Sequence, residues 1–374
     1  MPVFRGLTAT LLCALMLFAC VPARAAEAEV PAVSAASWAV YDPWREAVLW
    51  GENVHRRRPM ASTTKIMTAA LALELYGLDR AVTILSQWCG VEGSSMYLRA
   101  GERLTVADLL YGLMLMSGND AALALASLHT GEADDFVALM NAKAQALGLE
   151  NTAFTNPSGL SEDGHFSTAY DMAVMTAWAL ENPDFAAIVA TSDTTRAGRY
   201  MKNHNRLLST LEGCVGVKTG YTESAGRCLV SACTRQGRTF IAVTLDASDD
   251  WRAHRALFDA AFGDMAQRQL AAPGRVGFAH LAEGGGIQLV SAQSISAVLS
   301  DRESDALSLE LRGPRIWYGN AEKDAPWGVL ALVLEGKTIG EIPVFFEESS
   351  AIISAKPSLF VRFWKILFGI FEGK

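Results

Sequence analysis

The order of the hydrophobic segments restricts this fold more than any other feature of the chain. Residues 36–41 and 47–50 are short, strand-like runs joined across Asp42-Pro43, the pattern of a hairpin. The period then becomes helical, with Ile66, Met67, Ala70, Leu71 and Leu75 apolar in a stretch over about 61–76. Helical stretches at 105–116 and 120–128 flank the break Ser117-Gly118-Asn119, another covers 133–147 before Gly148, and one more covers 169–180. Strand patterns return only at 215–218, 228–234 and 239–245, ahead of a helix over about 252–262. Strands at both ends of a region with helices between them point to one sheet, so the expected class is α+β, an antiparallel sheet packed by helices.

The composition shifts near Ala271-Ala272-Pro273-Gly274. Short β-rich runs follow at 287–290, 295–299, 307–311 and 329–334, separated by turns such as Gly284-Gly285-Gly286. Residues 275–350 therefore read as a small all-β domain.

The two ends speak of location. An apolar run at 7–20 follows Arg5 and precedes Val21-Pro22-Ala23-Arg24-Ala25, so residues 1–25 read as a signal peptide cleaved after Ala25. Leu17-Phe18-Ala19-Cys20 offers a second exported reading, with lipid on Cys20. At the other end, Ser358, Arg362, Lys365, Gly369 and Glu372 share one side of a helical wheel otherwise made of Leu, Ile, Val, Phe and Trp. Such a helix spans roughly 20 Å, short of the ~30 Å hydrocarbon core of a bilayer. Residues 356–374 are thus expected to lie in a membrane surface as an amphipathic anchor.

Charge narrows the partners. The chain carries −8, and loss of residues 1–25 removes Arg5 and Arg24 but no acid, leaving −10. Nucleic acid is not expected, because its binding needs a basic surface to replace counterions. A chain 51 % hydrophobic and 19 % charged is also far from the composition of disorder. Cys89, Cys214, Cys228 and Cys233 remain after the leader; Cys214 and Cys228 flank a turn and could face each other, and spacing leaves the pairing open. No metal-ligand spacing appears among the histidines and cysteines, so neither metal nor cofactor is expected.

Three short motifs carry chemistry: Ser62-Thr63-Thr64-Lys65, Ser117-Gly118-Asn119 and Lys218-Thr219-Gly220. Ser62 and Lys65 at a helix start share a face, placing an amine beside a hydroxyl. A serine is a poor nucleophile until a neighbour takes its proton, and a lysine can do so only when burial or another cation lowers its pKa. Apolar flanks favour burial of Lys65, and Lys218 can be that cation if the fold brings it close. Ser117-Gly118-Asn119 can aim polar side chains into a cleft. Lys218 and Thr219 suit a carboxylate, while Gly220 lets a substrate strand pair closely with the edge.

With their flanks, Ala61-Ser62-Thr63-Thr64-Lys65-Ile66-Met67-Thr68-Ala69, Glu92-Gly93-Ser94-Ser95-Met96-Tyr97-Leu98, Met116-Ser117-Gly118-Asn119-Asp120-Ala121-Ala122, Asn156-Pro157-Ser158-Gly159-Leu160 and Gly216-Val217-Lys218-Thr219-Gly220-Tyr221-Thr222 resemble the low-molecular-mass penicillin-binding proteins. Specifically, they resemble the exported serine-type D-alanyl-D-alanine carboxypeptidases. The resemblance implies a penicillin-binding/serine β-lactamase-like transpeptidase domain over 30–268, an antiparallel sheet with a helical subdomain, followed by the β domain and the anchor. It implies Ser62 as the acylated nucleophile, Lys65 as its base, and Ser117 and Lys218 as groups that relay or tune proton transfer. Asn119 would contact the substrate backbone, Thr219 would hold its carboxylate, and the N–H groups of Ser62 and Tyr221 would form an oxyanion hole. The implied substrate is a peptidoglycan stem peptide ending in D-Ala-D-Ala, and β-lactams would acylate Ser62. Where relatives often carry an arginine after the last strand this chain has Asp250, so either Arg252, two residues later, takes that role or Thr219 and Lys218 suffice for the carboxylate. Alternatives within the same chemistry are an endopeptidase or transpeptidase and a β-lactamase. The segment 156–168 contains Glu162 but no E-x-x-L-N pattern. A non-catalytic peptidoglycan-binding protein is the alternative of a different class.

Overall fold

The structure, a computed structural model, describes residues 30–281, 285–317 and 326–347. The expectations for 1–25 and 356–374 lie outside them, as do residues 282–284, 318–325 and 348–350 of the expected domain at 275–350.

Strands β1 (Ala35–Asp42) and β2 (Ala47–Glu52) form the expected hairpin, Val40 opposite Trp50 and Asp42 opposite Ala47. The next element begins as a single 3-10 turn, Ala61–Thr64, and becomes α1 (Lys65–Leu75) only at Lys65. Every residue of α1 from Lys65 to Ala72 is buried. A helix apolar nearly all round is a central helix. A ribbon, β3 (Ala81–Thr83) and β4 (Arg103–Thr105), leads into α2 (Val106–Leu115), whose start is locked by a capping box of Thr105 and Asp108. Then come α3 (Asn119–Ser127), α4 (Ala133–Ala146), α5 (Ala169–Leu180) and α6 (Pro183–Ala190). Sequence reading passed over α6, although Asn182 caps it and Pro183 opens it. It also passed over the ribbons β3–β4 and β5 (Asp193–Arg196) with β6 (Arg199–Lys202), whose three- and four-residue strands are too short to set a period.

The chain then returns to the sheet as β7 (Cys214–Thr222), β8 (Gly226–Arg235) and β9 (Arg238–Ala247), followed by α7 (Asp250–Ala261). The spatial order is β2-β1-β9-β8-β7, antiparallel throughout. The first strands of the region thus pair with its last, and β7 is left at one edge. Both faces are covered: Ala39, Tyr41, Ile241, Val243 and Leu245 face the large helical core, while Trp38, Val40, Phe240 and Ala242 pack with Leu257 and Phe258 of α7. Double coverage explains why 239–245 reads as a hydrophobic run rather than an alternation. Cys214 stands opposite Cys233, and Cys228 opposite Gly220, so the suggested facing of Cys214 and Cys228 does not occur; all four are free thiols.

Beyond α7, β10 (Ala266–Ala271) pairs with β13 (Ile295–Leu299), while β11 (Gly274–Leu281) and β12 (Gly286–Ser291) enter a second sheet. A short helix α8 (Asp301–Ala306) interrupts the otherwise β-rich region before β14 (Leu307–Arg312), β15 (Ile316–Trp317), β16 (Pro326–Leu334) and β17 (Lys337–Phe346). The larger sheet runs β14-β16-β17-β12-β11-β15 and has its own core around Leu289, Trp327, Leu332 and Val344.

A buried ion cluster joins the two regions. Arg238 Nη2 donates to Asp42 Oδ2 at 2.5 Å and to Glu303 Oε1 of α8 at 3.2 Å, Nη1 donates to Val298 O at 3.0 Å, and the guanidinium lies 4.0 Å from the Trp44 ring centre. Asp42 also accepts from the backbone N–H groups of Trp44 and Arg45, so one carboxylate holds both the hairpin turn and the junction. Removing one member of such a cluster strands the others in low dielectric. Asp42→Ala is expected to lower stability by about 3–5 kcal/mol, read as a fall in the midpoint of chemical denaturation.

Candidate active site

The Ser62 turn is built against steric preference. Ala61 holds a left-handed φ of +47°, unusual for a residue with a Cβ. A second element closes on it from behind. Asn156 Oδ1 accepts from Ser158 N and Gly159 N at 3.2 and 2.8 Å, curling 156–159 into a tight turn. A methyl group on Gly159 would fall 2.0 Å from Ala61 O, so only glycine permits the approach.

Lys65 is wholly buried, and its Nζ touches Ser62 Oγ at 2.9 Å, Asn119 Oδ1 at 2.7 Å and Ser158 O at 2.5 Å. Burial first, and the nearby Lys218 second, push its pKa well below the ordinary lysine value, while Asp120 pulls the other way. A neutral amine in this place can donate its two hydrogens to Asn119 and Ser158. Its lone pair is then left for the hydroxyl proton of Ser62.

Asn119 is engaged at both ends of its amide. Its Nδ2 donates to Glu92 O at 2.7 Å while its Oδ1 faces Lys65, and only 4 % of the residue is exposed. Its Oδ1 thus helps to hold Lys65, and its Nδ2 is tied to the segment carrying Glu92. The preceding Ser117 is also left-handed, φ +59°, and lines the cleft. Asp120, a residue that sequence reading left without a role, fastens this turn. Its buried carboxylate accepts from Met96 N and Leu98 N, each at 3.0 Å, and from Ser95 Oγ at 2.6 Å. An acid in the first turn of a helix of small residues was the available signal.

The third motif arrives on the sheet edge. Lys218 is buried, bonds Thr219 O at 2.9 Å, and is brought down to about 7 by burial. Thr219, Gly220 and the exposed Tyr221 line the cleft with Ser62. A methyl group on Gly220 would stand 3.1 Å from Ser62 N and from Met60 O, so glycine lets β7 press against the Ser62 turn.

Arg252 is not part of this assembly. Its side chain is 82 % exposed and pairs with Asp249 at 3.0 Å, because the first turn of α7 carries it away from the cleft. Arg227 occupies the wall instead. It stands on β8 opposite Tyr221, and its Nη2 meets Asp250 Oδ1 at 2.5 Å. It lies six residues after Tyr221, across the tight turn of the β7–β8 hairpin, and carries no motif that marks it in the sequence. The cleft has a volume of about 970 Å³. Among the described residues there is no group of three or more His, Cys, Asp or Glu placed to hold a metal ion.

Behind the Ser62 turn, His165 Nε2 lies 2.8 Å from Thr64 Oγ1, which itself donates to Ala61 O at 2.8 Å. Thr155 N donates to His165 Nδ1 at 3.1 Å, so the ring is a neutral Nε2–H tautomer whose two nitrogens are both used. Burial is the main reason its pKa falls to about 4. His254, buried between Ser231 and Thr244, falls to about 3 for the same reason.

A family profile described as D-alanyl-D-alanine carboxypeptidase matches residues 24–249. D-alanyl-D-alanine carboxypeptidase DacF of Bacillus subtilis is 38 % identical over 213 residues, 54 % of this chain and 54 % of its own length. DacC of Escherichia coli, of the same description, is 38 % identical over 235 residues, 59 % of each chain. The chain thus spans little more than half the length of these curated relatives. The crystal structure of penicillin binding protein 5 from Haemophilus influenzae superposes with a TM-score of 0.65 at 26 % identity, covering 84 % of this chain and 97 % of that one.

The two histidines set a pH dependence. An unfolded histidine takes a proton below about 6.5, whereas these stay neutral until about 4 and about 3. Stability is therefore complete above pH 6.5 and falls as the pH drops toward those values. Denaturant midpoints at pH 7 and pH 4.5 are expected to show a loss, and His165→Gln to reduce that loss by about 2 kcal/mol.

Proposed function

The chain belongs to the D-alanyl-D-alanine carboxypeptidase family, and we propose that it is an exported serine-type carboxypeptidase removing the terminal D-alanine from peptidoglycan stem peptides. The observation that carries this reading is the buried Lys65 amine with Ser62 Oγ, Asn119 Oδ1 and Ser158 O as its three neighbours. Ser62 Oγ attacks the carbonyl between the two D-alanines as Lys65 takes its proton. The oxyanion is stabilised by the N–H groups of Ser62 and Tyr221, a reading supported by the close approach of Gly220 to Ser62 N. The C–N bond breaks, and the leaving amine takes a proton through Lys65 and Ser117. Water then attacks the ester carbonyl, restoring Ser62 and releasing the shortened stem. Burial first, and the charge that Lys218 carries below about pH 7 second, hold Lys65 toward its neutral form in the resting site.

Thr219 and Arg227 hold the terminal carboxylate, and Arg227 replaces Arg252 in that proposal. The guanidinium is suited to a carboxylate and is already fixed by Asp250. β-Lactams mimic the dipeptide and acylate Ser62. A β-lactamase reading needs a carboxylate that activates water beside the ester. Glu162 instead binds Thr155 Oγ1 at 2.8 Å and lines a separate recess. Action on the outer face of the membrane is the reading supported by the leader pattern at 1–25 and the amphipathic pattern at 356–374 in the sequence.

Fluorescent penicillin is expected to label the wild type covalently, and Ser62→Ala to abolish both labelling and D-Ala release from a pentapeptide stem. Undiminished labelling of that variant removes Ser62 from the nucleophile role. Arg227→Ala is expected to raise KM for the pentapeptide about tenfold or more, the worth of a charge-assisted hydrogen bond, whereas Arg252→Ala leaves it within about twofold. Steady-state kinetics of D-Ala release separates the two arginines.

A further inference from the structure

The cleft has the opposite charge to the chain. The chain as a whole carries −8. Yet Lys202, Arg206 and Arg227 line the cleft, Lys218 lies just beneath it, and Asp250 is the one acid on its wall among the described residues. Asp250 is already taken by Arg227. Neither Lys202 nor Arg206 has a carboxylate within ion-pair distance among the described residues.

These two cations are not scattered on the surface. In the segment after Tyr200, Met201, Asn203, Asn205 and Leu207 are buried while Lys202, His204 and Arg206 are exposed, and Lys202, Asn203, His204 and Arg206 all line the cleft. The buried asparagines hold the alternation. Asn203 Nδ2 donates to Thr191 O at 3.1 Å, Asn203 Oδ1 accepts from Asn205 N at 2.9 Å, and Asn205 Oδ1 accepts from Leu207 N at 3.1 Å. The backbone is thereby pinned from inside, which fixes the positions from which both cations reach the cleft.

A peptide ending in D-Ala-D-Ala has one carboxylate at that end, and Thr219 with Arg227 accounts for it. Resting on the carboxypeptidase reading above, we infer that Lys202 and Arg206 form a second anion subsite, which selects stem peptides bearing a further free carboxylate before the D-Ala-D-Ala end. The class of substrate is one whose residue ahead of the two D-alanines is a dicarboxylic residue with its acid free rather than amidated. Such a subsite acts on binding and is screened by salt.

The test compares D-Ala release by the full chain from two synthetic pentapeptides that differ only in a free or an amidated carboxylate on that residue. The free acid is expected to give about tenfold higher kcat/KM at low ionic strength, carried by KM and shrinking as salt is added. Lys202→Gln/Arg206→Gln is expected to bring the free acid down to the level of the amide, while Lys202→Arg/Arg206→Lys keeps the preference. Penicillin labelling of each preparation reports that the Ser62 site is assembled. Equal rates on the two peptides in the wild type, or a preference that survives in the double glutamine variant, overturn the subsite and leave the carboxypeptidase reading standing. Absence of D-Ala release from both peptides overturns the reading itself, and the subsite with it.

Discussion

Burial of a lysine amine governs this structure. Lys65 is fully enclosed, and a charge so placed is costly unless it is paired or given up. Here the pairing is with neutral oxygens from three separated stretches of chain, at Ser62, Asn119 and Ser158. With Lys218 adding positive potential, the amine is driven toward its neutral form. The elements that deliver those oxygens therefore determine whether Lys65 can act as a base. The capping box on α2, the grip of Asp120 on residues 95–98 and the Asn156 turn all serve that arrangement.

Close approach is the second requirement, and glycine supplies it at two points. Gly159 lets the turn carrying Ser158 sit on Ala61 O, and Gly220 lets the edge strand β7 sit on Ser62 N. The edge position of β7 follows from the order β2-β1-β9-β8-β7, which leaves that strand unpaired on one side within the sheet. A peptide can then lie against the edge, within reach of Ser62 and of the cationic wall. His165 steadies the back of the same turn through Thr64, outside the cleft.

Much of the fold was legible because periodicity is local. The hairpin, the helices around Ser117-Gly118-Asn119 and the three returning strands all appear close to their expected bounds. The ribbons β3–β4 and β5–β6 were not legible. Their strands are only three or four residues long, too short for an apolar period to stand out. Arg227 shows a second limit at the site. It is six residues from Tyr221 across a hairpin turn, but its meeting with Asp250 at the start of α7 depends on how that helix packs on the sheet.

What the amino-acid sequence determined by itself was the set of reactive groups and the local elements that carry them. Ser62 and Lys65 lie one turn apart, Ser117 and Asn119 occupy a helix break, and Lys218 ends a strand-like run, all of them relations between near neighbours in the chain. Tertiary structure decided the rest: that Lys65 is dry, that Asn119 turns its amide to Lys65, that Arg227 and not Arg252 faces the cleft, and that Cys214 lies opposite Cys233. The reason is physical. Desolvation, charge proximity and strand register depend on distances between residues far apart in the chain, and packing alone sets those distances.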